Sequence, residues 1–180
     1  MWWDQRRLRE FEQAMLPWMP AAYRLACAIL RNRDDAADVV QDAFLRAQAA
    51  FAQFRGESAR AWLLAIVRNE ALKALRTRAR HANVIPFDMS VHAAHAVATD
   101  PSPEAVAEQR GEFARLQQAL DDLPAAYREA ILLREVEGMS YREIAEVVST
   151  PVGTVMSRLH RARDQLRTAL TEPDVNEKRE

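Results

Sequence analysis

Apolar residues spaced three and four apart fill two long stretches of this chain, and an interval with Pro86, Pro101 and Pro103 separates them. That spacing marks amphipathic helices and leaves little room for a sheet. In the first stretch Met15, Leu16, Met19, Tyr23, Ala26 and Leu30 share one expected buried face. In the last, Val155, Leu159, Ala162, Leu166 and Leu170 fall within about 80° of one another on a helical wheel. Only 4 glycines occur in 180 residues, against many Ala, Leu, Arg, Glu and Gln, so local propensity agrees with the spacing. The expected fold class is all-α: two small helical domains joined by a flexible linker, the second a helix-turn-helix.

Start and stop signals divide the stretches further. Pro17 and Pro20 mark a break or a first turn. Arg31 to Asp34 reads as a short turn, with Asp34 or Asp35 as the cap of a helix running to about Ala52. Phe54 to Ser58 is a loop, and a third helix spans about Arg60 to Arg80. Residues 81–103 hold no helical period and read as linker. Beyond them, helices are expected over Gln109–Leu120 and Ala125–Val136, with Pro124 in the first turn of the second and Gly138 ending it. Ser140-Tyr141-Arg142-Glu143 fits a capping box for a helix to Val148. Thr150-Pro151 signals one more, with Thr150 as cap, running to about Leu170.

Composition excludes several function classes. The single cysteine, Cys27, makes neither an internal disulfide nor a Cys-based zinc site, and its place on an apolar face suits a packed small side chain. No apolar run approaches the roughly 20 residues of a membrane span. Acids and arginines interrupt the N-terminus, so no signal peptide is expected and the default compartment is the cytoplasm. There is no Gly-rich phosphate loop, metalloprotease His pair or nucleophile elbow, so neither an enzyme nor a cofactor is expected. His92 and His95, near Asp88 and Asp100, lack a fourth defined ligand, and no metal site is assigned to them.

Charge is distributed unevenly. Residues 1–87 carry 14 basic and 9 acidic side chains, a net of +5, and residues 88–180 carry 11 and 17, a net of −6. Such asymmetry hints at contact with nucleic acid. Two surfaces could supply it. Residues 140–148 and 151–170, joined by a tight turn, form a helix-turn-helix whose second helix would enter the major groove. Ser157, His160 and Arg161 lie opposite its apolar stripe, with Met156 and Arg158 on the flanks. Gly153 and Thr154 stand near its N-terminus, where phosphate binds. Arginine, serine and methionine together can read guanine, several base edges and a thymine methyl. The alternative is a solvated basic helix at the end of a bundle.

The helix from 60 to 80 is divided in the same way. Leu64, Val67, Ala71, Ala74 and Leu75 form its apolar stripe, and Asn69, Lys73, Arg76 and Arg80 its polar side. Trp62 either joins that polar side as a stacking platform for bases or turns inward as a core anchor. Asp38, Gln41 and Asp42, at i, i+3 and i+4, make an acidic patch that would repel phosphate. It serves either helix solubility or a basic protein partner.

Several segments together carry a family resemblance: DVVQDAFLRA, FRGES, AWLLAIVRN and LPAAYREAILLREVEGMSYREIAEVVSTPVGTVMSRLHRAR. They resemble the extracytoplasmic-function sigma factors of bacterial RNA polymerase, over roughly residues 10–80 and 112–170. The resemblance implies a promoter-melting region 2 over 1–80, a linker over 81–108, a helix-turn-helix region 4 over 109–172 and a flexible tail over 173–180. It matches Asp38, Gln41, Asp42 and Phe44 to the segment that docks on the β′ clamp of core polymerase. Phe54, Arg55, Gly56, Glu57 and Ser58 match the loop that pockets a flipped base of the −10 element, and Asn69, Lys73 and Arg76 the helix that opens it. Thr154, Met156, Ser157, Arg158, His160 and Arg161, with Tyr141 and Arg142, match −35 recognition. The implied partners are core RNA polymerase, through its β′ clamp and β flap, promoter DNA and an anti-sigma factor clamping both domains. Met156 departs from the family, where a basic residue is common. No third domain is expected after Leu170. The rival readings are a helix-turn-helix regulator that works without polymerase and a helical protein-interaction module with solvated basic faces.

Overall fold

A computed structural model describes residues 5–55, 58–82 and 103–171. The described residues form eight α-helices and no strand: α1 (Gln5–Met15), α2 (Met19–Leu30), α3 (Arg33–Ala50), α4 (Ala59–Ala82), α5 (Pro103–Asp122), α6 (Ala125–Ile131), α7 (Tyr141–Val148) and α8 (Val152–Thr171). The all-α expectation holds. The interval 83–102, with the His92 and His95 pair, and the tail from 172 lie outside the described residues.

The prolines act as the sequence suggests. A single 3₁₀ turn over Leu16–Trp18 carries Pro17, and α2 opens with Pro20 in its first positions, where a missing N–H costs nothing. The caps differ in two places. Asn32 caps α3, its side chain accepting the Asp35 N–H at 3.0 Å, while Asp34 and Asp35 sit in the first turn, where the helix dipole favours them. Arg31 precedes it at φ +56° and closes α2. Thr150 does not cap α8: its hydroxyl is buried and unpartnered, and the Pro151 carbonyl accepts from Thr154 and Val155 instead. Proline has taken the cap position, one place earlier than expected. Pro124 is displaced likewise, standing as the N-cap of α6.

Other ends follow their signals. Ser58 caps α4, accepting the Ala61 N–H at 3.2 Å. The Ser140–Glu143 capping box is present in both directions. Gly138 adopts φ +64°, a left-handed backbone that a Cβ disfavours, after a π-helical turn over Leu132–Val136. Helix α5 starts at Pro103, six residues before the expected Gln109.

Helices α2, α3 and α4 pack on one another, and α8 packs on both α6 and α7. Leu64, Val67 and Ala71 of α4 and Val155, Leu159 and Ala162 of α8 are buried, as their periodicity requires. The expected α2 face is only half right. Met15, Ala26 and Leu30 are buried, but Leu16, Met19 and Tyr23 are exposed, at 44%, 43% and 37%. Helix α1 packs through Phe11 on Phe44 and Phe51, toward the end of α3, and leaves these three along an open groove.

The two halves do not sit apart. Helix α7 packs on α4, and α6 on α2, so that one apolar cluster runs from Phe11 to Ala162. Charged side chains seal this seam. Arg24 holds Glu137 with two bonds of 2.6 and 3.0 Å, Arg60 reaches Glu143 at 3.2 Å, and Arg68 reaches Glu129 at 2.5 Å. Arg128, buried, donates to the carbonyls of Leu120, Asp121 and Leu123 at the end of α5 and to Ala28 of α2. Part of the charge asymmetry between the halves is therefore spent across their own contact.

Candidate nucleic-acid interface

Helix α8 has the division that groove reading needs. Its back is fixed by Val155, Leu159 and Ala162, which lock its rotation against α6 and α7. Its front then exposes Met156, Ser157, His160 and Arg161. Ser157 donates to the Thr154 carbonyl at 2.9 Å, and His160 lies 3.3 Å from Asp164 one turn on. Arg161 bonds the Tyr127 phenol, which holds its guanidinium above the ordinary arginine range. Thr154 is half-buried. Arg158 is half-buried too, with one guanidinium nitrogen buried and unpartnered, and its charge acts on Glu129. It turns toward the seam rather than the front. In α7, Tyr141 is half-buried under the Arg134 guanidinium, 5.0 Å from its ring centroid, and Arg142 is exposed.

Helix α4 presents a second basic face. Asn69, Lys73, Arg76 and Arg80 are exposed, opposite the buried stripe. Glu70 lies 3.8 Å from Lys73 and 3.0 Å from Arg46 of α3, so one carboxylate steadies two cations. Trp62 resolves inward. It is half-buried, packs on the core and meets Phe54 at 5.2 Å between centroids. Phe54 stacks in turn on Phe51, which meets Phe11 edge-on, and Phe11 meets Phe44. Arg55 folds back onto the Ala52 and Phe54 carbonyls at 2.8 and 2.9 Å. Ser58 is spent on its own helix and donates to Glu143 at 3.3 Å. Gly56 and Glu57 lie outside the described residues.

The acidic patch of α3 is solvent-facing: Asp38, Gln41 and Asp42 are all exposed. Phe44 is half-buried, and with Gln41 it lines the groove that Leu16, Met19, Tyr23 and Leu45 leave open, about 830 Å³ in volume. The acids thus flank an apolar trough, an arrangement suited to a helix with a basic edge.

Sequence reasoning missed the seam residues Arg24, Arg60, Arg68, Arg128, Glu129, Glu137 and Glu143 as a set. Glu129 and Arg128 carry the one signal that could have found them: two adjacent charges at positions where the apolar period of α6 demands burial. Burial pushes the Glu129 carboxyl up, and Arg68 and Arg158 pull it back. Glu143 is held down, chiefly by the Ser140 backbone N–H. Among the described residues no cluster of metal-binding side chains occurs, and no helix is long and apolar enough to cross a membrane.

Comparison with known proteins agrees with this layout. The family model for sigma-70 region 2 matches residues 16–81, and that for sigma-70 region 4 matches 113–166. A helical region 2 followed by a region 4 is the arrangement of a sigma factor of RNA polymerase. The RNA polymerase sigma-H factor of Pseudomonas aeruginosa is 36% identical over 171 residues, covering 90% of this chain and 86% of that protein. The ECF RNA polymerase sigma factor SigE of Mycolicibacterium smegmatis is 34% identical over 93% of this chain, which spans only 64% of that protein's length. In three dimensions the chain is similar to the sigma factor RpoE of Bartonella quintana, solved in complex with the anti-sigma factor NepR. That match has a TM-score of 0.72 and 31% identity, covering 90% of this chain and 97% of the other. It is also similar to CnrH, solved in complex with the cytosolic domain of CnrY, with a TM-score of 0.63 and 29% identity over 91% of this chain and 88% of the other. The chain belongs to the extracytoplasmic-function sigma factors, alternative sigma factors for transcription initiation and not enzymes.

Proposed function

We propose that this chain binds core RNA polymerase in the cytoplasm and directs it to promoters by reading a −35 element with α8 and opening a −10 element with α4. The observation that carries the reading is the shared division of these two helices. Each has a buried apolar back and an exposed basic or donor-rich front, and the two lie on one chain beside an acidic α3 surface that DNA would repel. Met156, Ser157, His160 and Arg161 contact base edges, while Thr154, Tyr141 and Arg142 position the helix on phosphate. Arg158 joins them once it leaves Glu129.

Asn69, Lys73 and Arg76 take the −10 strand, and the loop Phe54, Arg55, Gly56, Glu57 and Ser58 receives an unstacked base. Unstacking costs a few kcal/mol, which a pocket for the flipped base offsets. Asp38, Gln41, Asp42 and Phe44 dock on the β′ clamp, and region 4 meets the β flap. The domain limits that go with this reading are 1–80 for region 2, 81–108 for the linker, 109–172 for region 4 and 173–180 for the tail. The anti-sigma complexes of RpoE and CnrH support an anti-sigma partner here too.

Run-off transcription with purified core polymerase on a genomic promoter library tests the function. Discrete transcripts that vanish with Asp42→Arg are expected. DNA binding without any transcript, from folded wild-type chain, would leave a regulator that acts without polymerase.

A further inference from the structure

We propose that Arg46 of α3 and Lys73 of α4 form a pair of phosphate contacts for the unpaired −10 strand, set in place by the Glu70 carboxylate between them. The proposal rests on the promoter-opening reading above and adds two residues to it. Arg46 brings a second helix to the strand, and Glu70 acts as a positioning residue.

Glu70 stands next to Asn69 on the helix that is to meet DNA, where a bare carboxylate would repel phosphate. It is not bare. One of its oxygens meets Arg46 Nε at 3.0 Å, and the other lies 3.8 Å from Lys73 Nζ. The Glu70 side chain is only 12% exposed, while those of Arg46 and Lys73 are 56% and 61% exposed. The acid is thus covered by its partners, and the cations are what the surface presents. Two positive charges share one negative charge, so the cluster keeps a positive surplus. By contrast, Asp35 of α3 and Arg78 of α4 pair one to one and cancel. A guanidinium held through Nε still has both terminal NH2 groups, which suit the oxygens of a phosphate. Without the acid, Arg46 and Lys73 would repel each other and lose their fixed spacing.

The direction of Arg46 favours an anion over the polymerase surface. It lies four residues after Asp42 on α3, the spacing of an ion pair within one helix, yet it bonds Glu70 on α4. Asp42 is left exposed for docking. A partner basic enough to suit Asp38 and Asp42 would repel Arg46. Arg46 therefore marks the border where the acidic surface of α3 gives way to a basic one. It carries the row of Asn69, Lys73, Arg76 and Arg80 across to a second helix.

The salt dependence of strand binding tests the pair. The probe is the labelled non-template strand across the −10 element of a promoter recovered by run-off transcription. Holoenzyme isolated by gel filtration is titrated onto it and read by anisotropy. On a single strand, each phosphate contact adds about 0.7 to the steepness of log affinity against log salt. Arg46→Gln and Lys73→Gln should each flatten the slope by about 0.7, and together by about 1.4. The variant Arg46→Gln/Glu70→Gln has the net charge of wild type. If Arg46 only neutralises Glu70, that variant keeps the wild-type slope; if Arg46 holds phosphate, the slope still flattens by at least about 0.7. Glu70→Gln alone should weaken binding, although it removes a negative charge beside the strand. Circular dichroism checks that helix content is kept. Where Arg46→Gln lowers it, the charge-neutral double variant carries the comparison.

A wild-type slope in Arg46→Gln/Glu70→Gln, or tighter binding by Glu70→Gln, would overturn the pair while wild-type holoenzyme still prefers the −10 strand. A folded Arg46→Gln chain that forms no holoenzyme would assign Arg46 to polymerase docking and overturn it as well. Wild-type holoenzyme that binds this strand no better than a scrambled one would overturn the promoter-opening reading, and the pair with it.

Discussion

Glu143 serves two structures with one carboxylate. One oxygen accepts from the Ser140 N–H and hydroxyl at 2.9 Å each, and the other meets Arg60 and Ser58 across the seam. Its carboxyl is held below the ordinary range, chiefly by the Ser140 backbone N–H. A group whose pKa is lowered by folding stabilises the fold above its unfolded value, and that stability is lost as pH falls through the folded value. Glu129 has the opposite sign: burial raises its carboxyl on folding, so its contribution to folding stability falls as pH rises from the ordinary carboxylate range through its raised folded value. Glu143→Gln should cost about 1 kcal/mol at neutral pH and flatten the acid limb of the stability profile. Urea unfolding between about pH 7 and pH 4 checks this. Thr150 gives a second expectation at this scale. Its buried hydroxyl has no partner, so Thr150→Val removes a desolvated polar group and keeps the shape. It should leave stability unchanged or raise it by about 1 kcal/mol, as read from the denaturation midpoint.

Among the elements, α8 shows how packing turns a composition into a helix with two distinct faces. Burial of Val155, Leu159 and Ala162 fixes which way Ser157, His160 and Arg161 face. Arg161→Ala should weaken binding to a selected −35 duplex by about 1–3 kcal/mol if it bonds a base, with relaxed preference at one position. Equal loss on every sequence, measured by anisotropy across single-base variants, would make it a phosphate contact instead. Helix α2 illustrates the reverse. The spacing places Met19 and Tyr23, with Leu16 of the preceding turn, among the buried residues, yet the short α1 shields only part of that face. The period identifies an apolar side; it does not say how much of that side another element covers.

At the scale of the molecule, Arg128 ties the halves together. It serves three carbonyls of its own region and the Ala28 carbonyl of region 2. Burial pushes its pKa down, and no other side chain carries as many donors into that site. Arg128→Met keeps volume but removes all four bonds, while the Leu120 carbonyl keeps the Leu123 N–H and the Asp121 carbonyl keeps Arg31. It should destabilise the chain by at least about 2 kcal/mol, and thermal unfolding should lose cooperativity between the regions.

Most of the helices and both basic faces were legible from residues alone. Helical spacing, the Ser140–Glu143 box and Gly138 act within a few residues of one another, so local chemistry determined them and the tertiary fold had little to add. The family could be read for the same reason, because its motifs are contiguous runs. The seam was not legible. Arg68 and Glu129 lie 61 positions apart, and nothing in either neighbourhood names the other. Whether an arginine faces solvent, like Arg76, or a buried glutamate, like Arg68, depends on which distant helix closes over it. Capping and periodicity are local properties of a sequence; charge pairing across a seam and the partial cover over α2 exist only once the helices have packed.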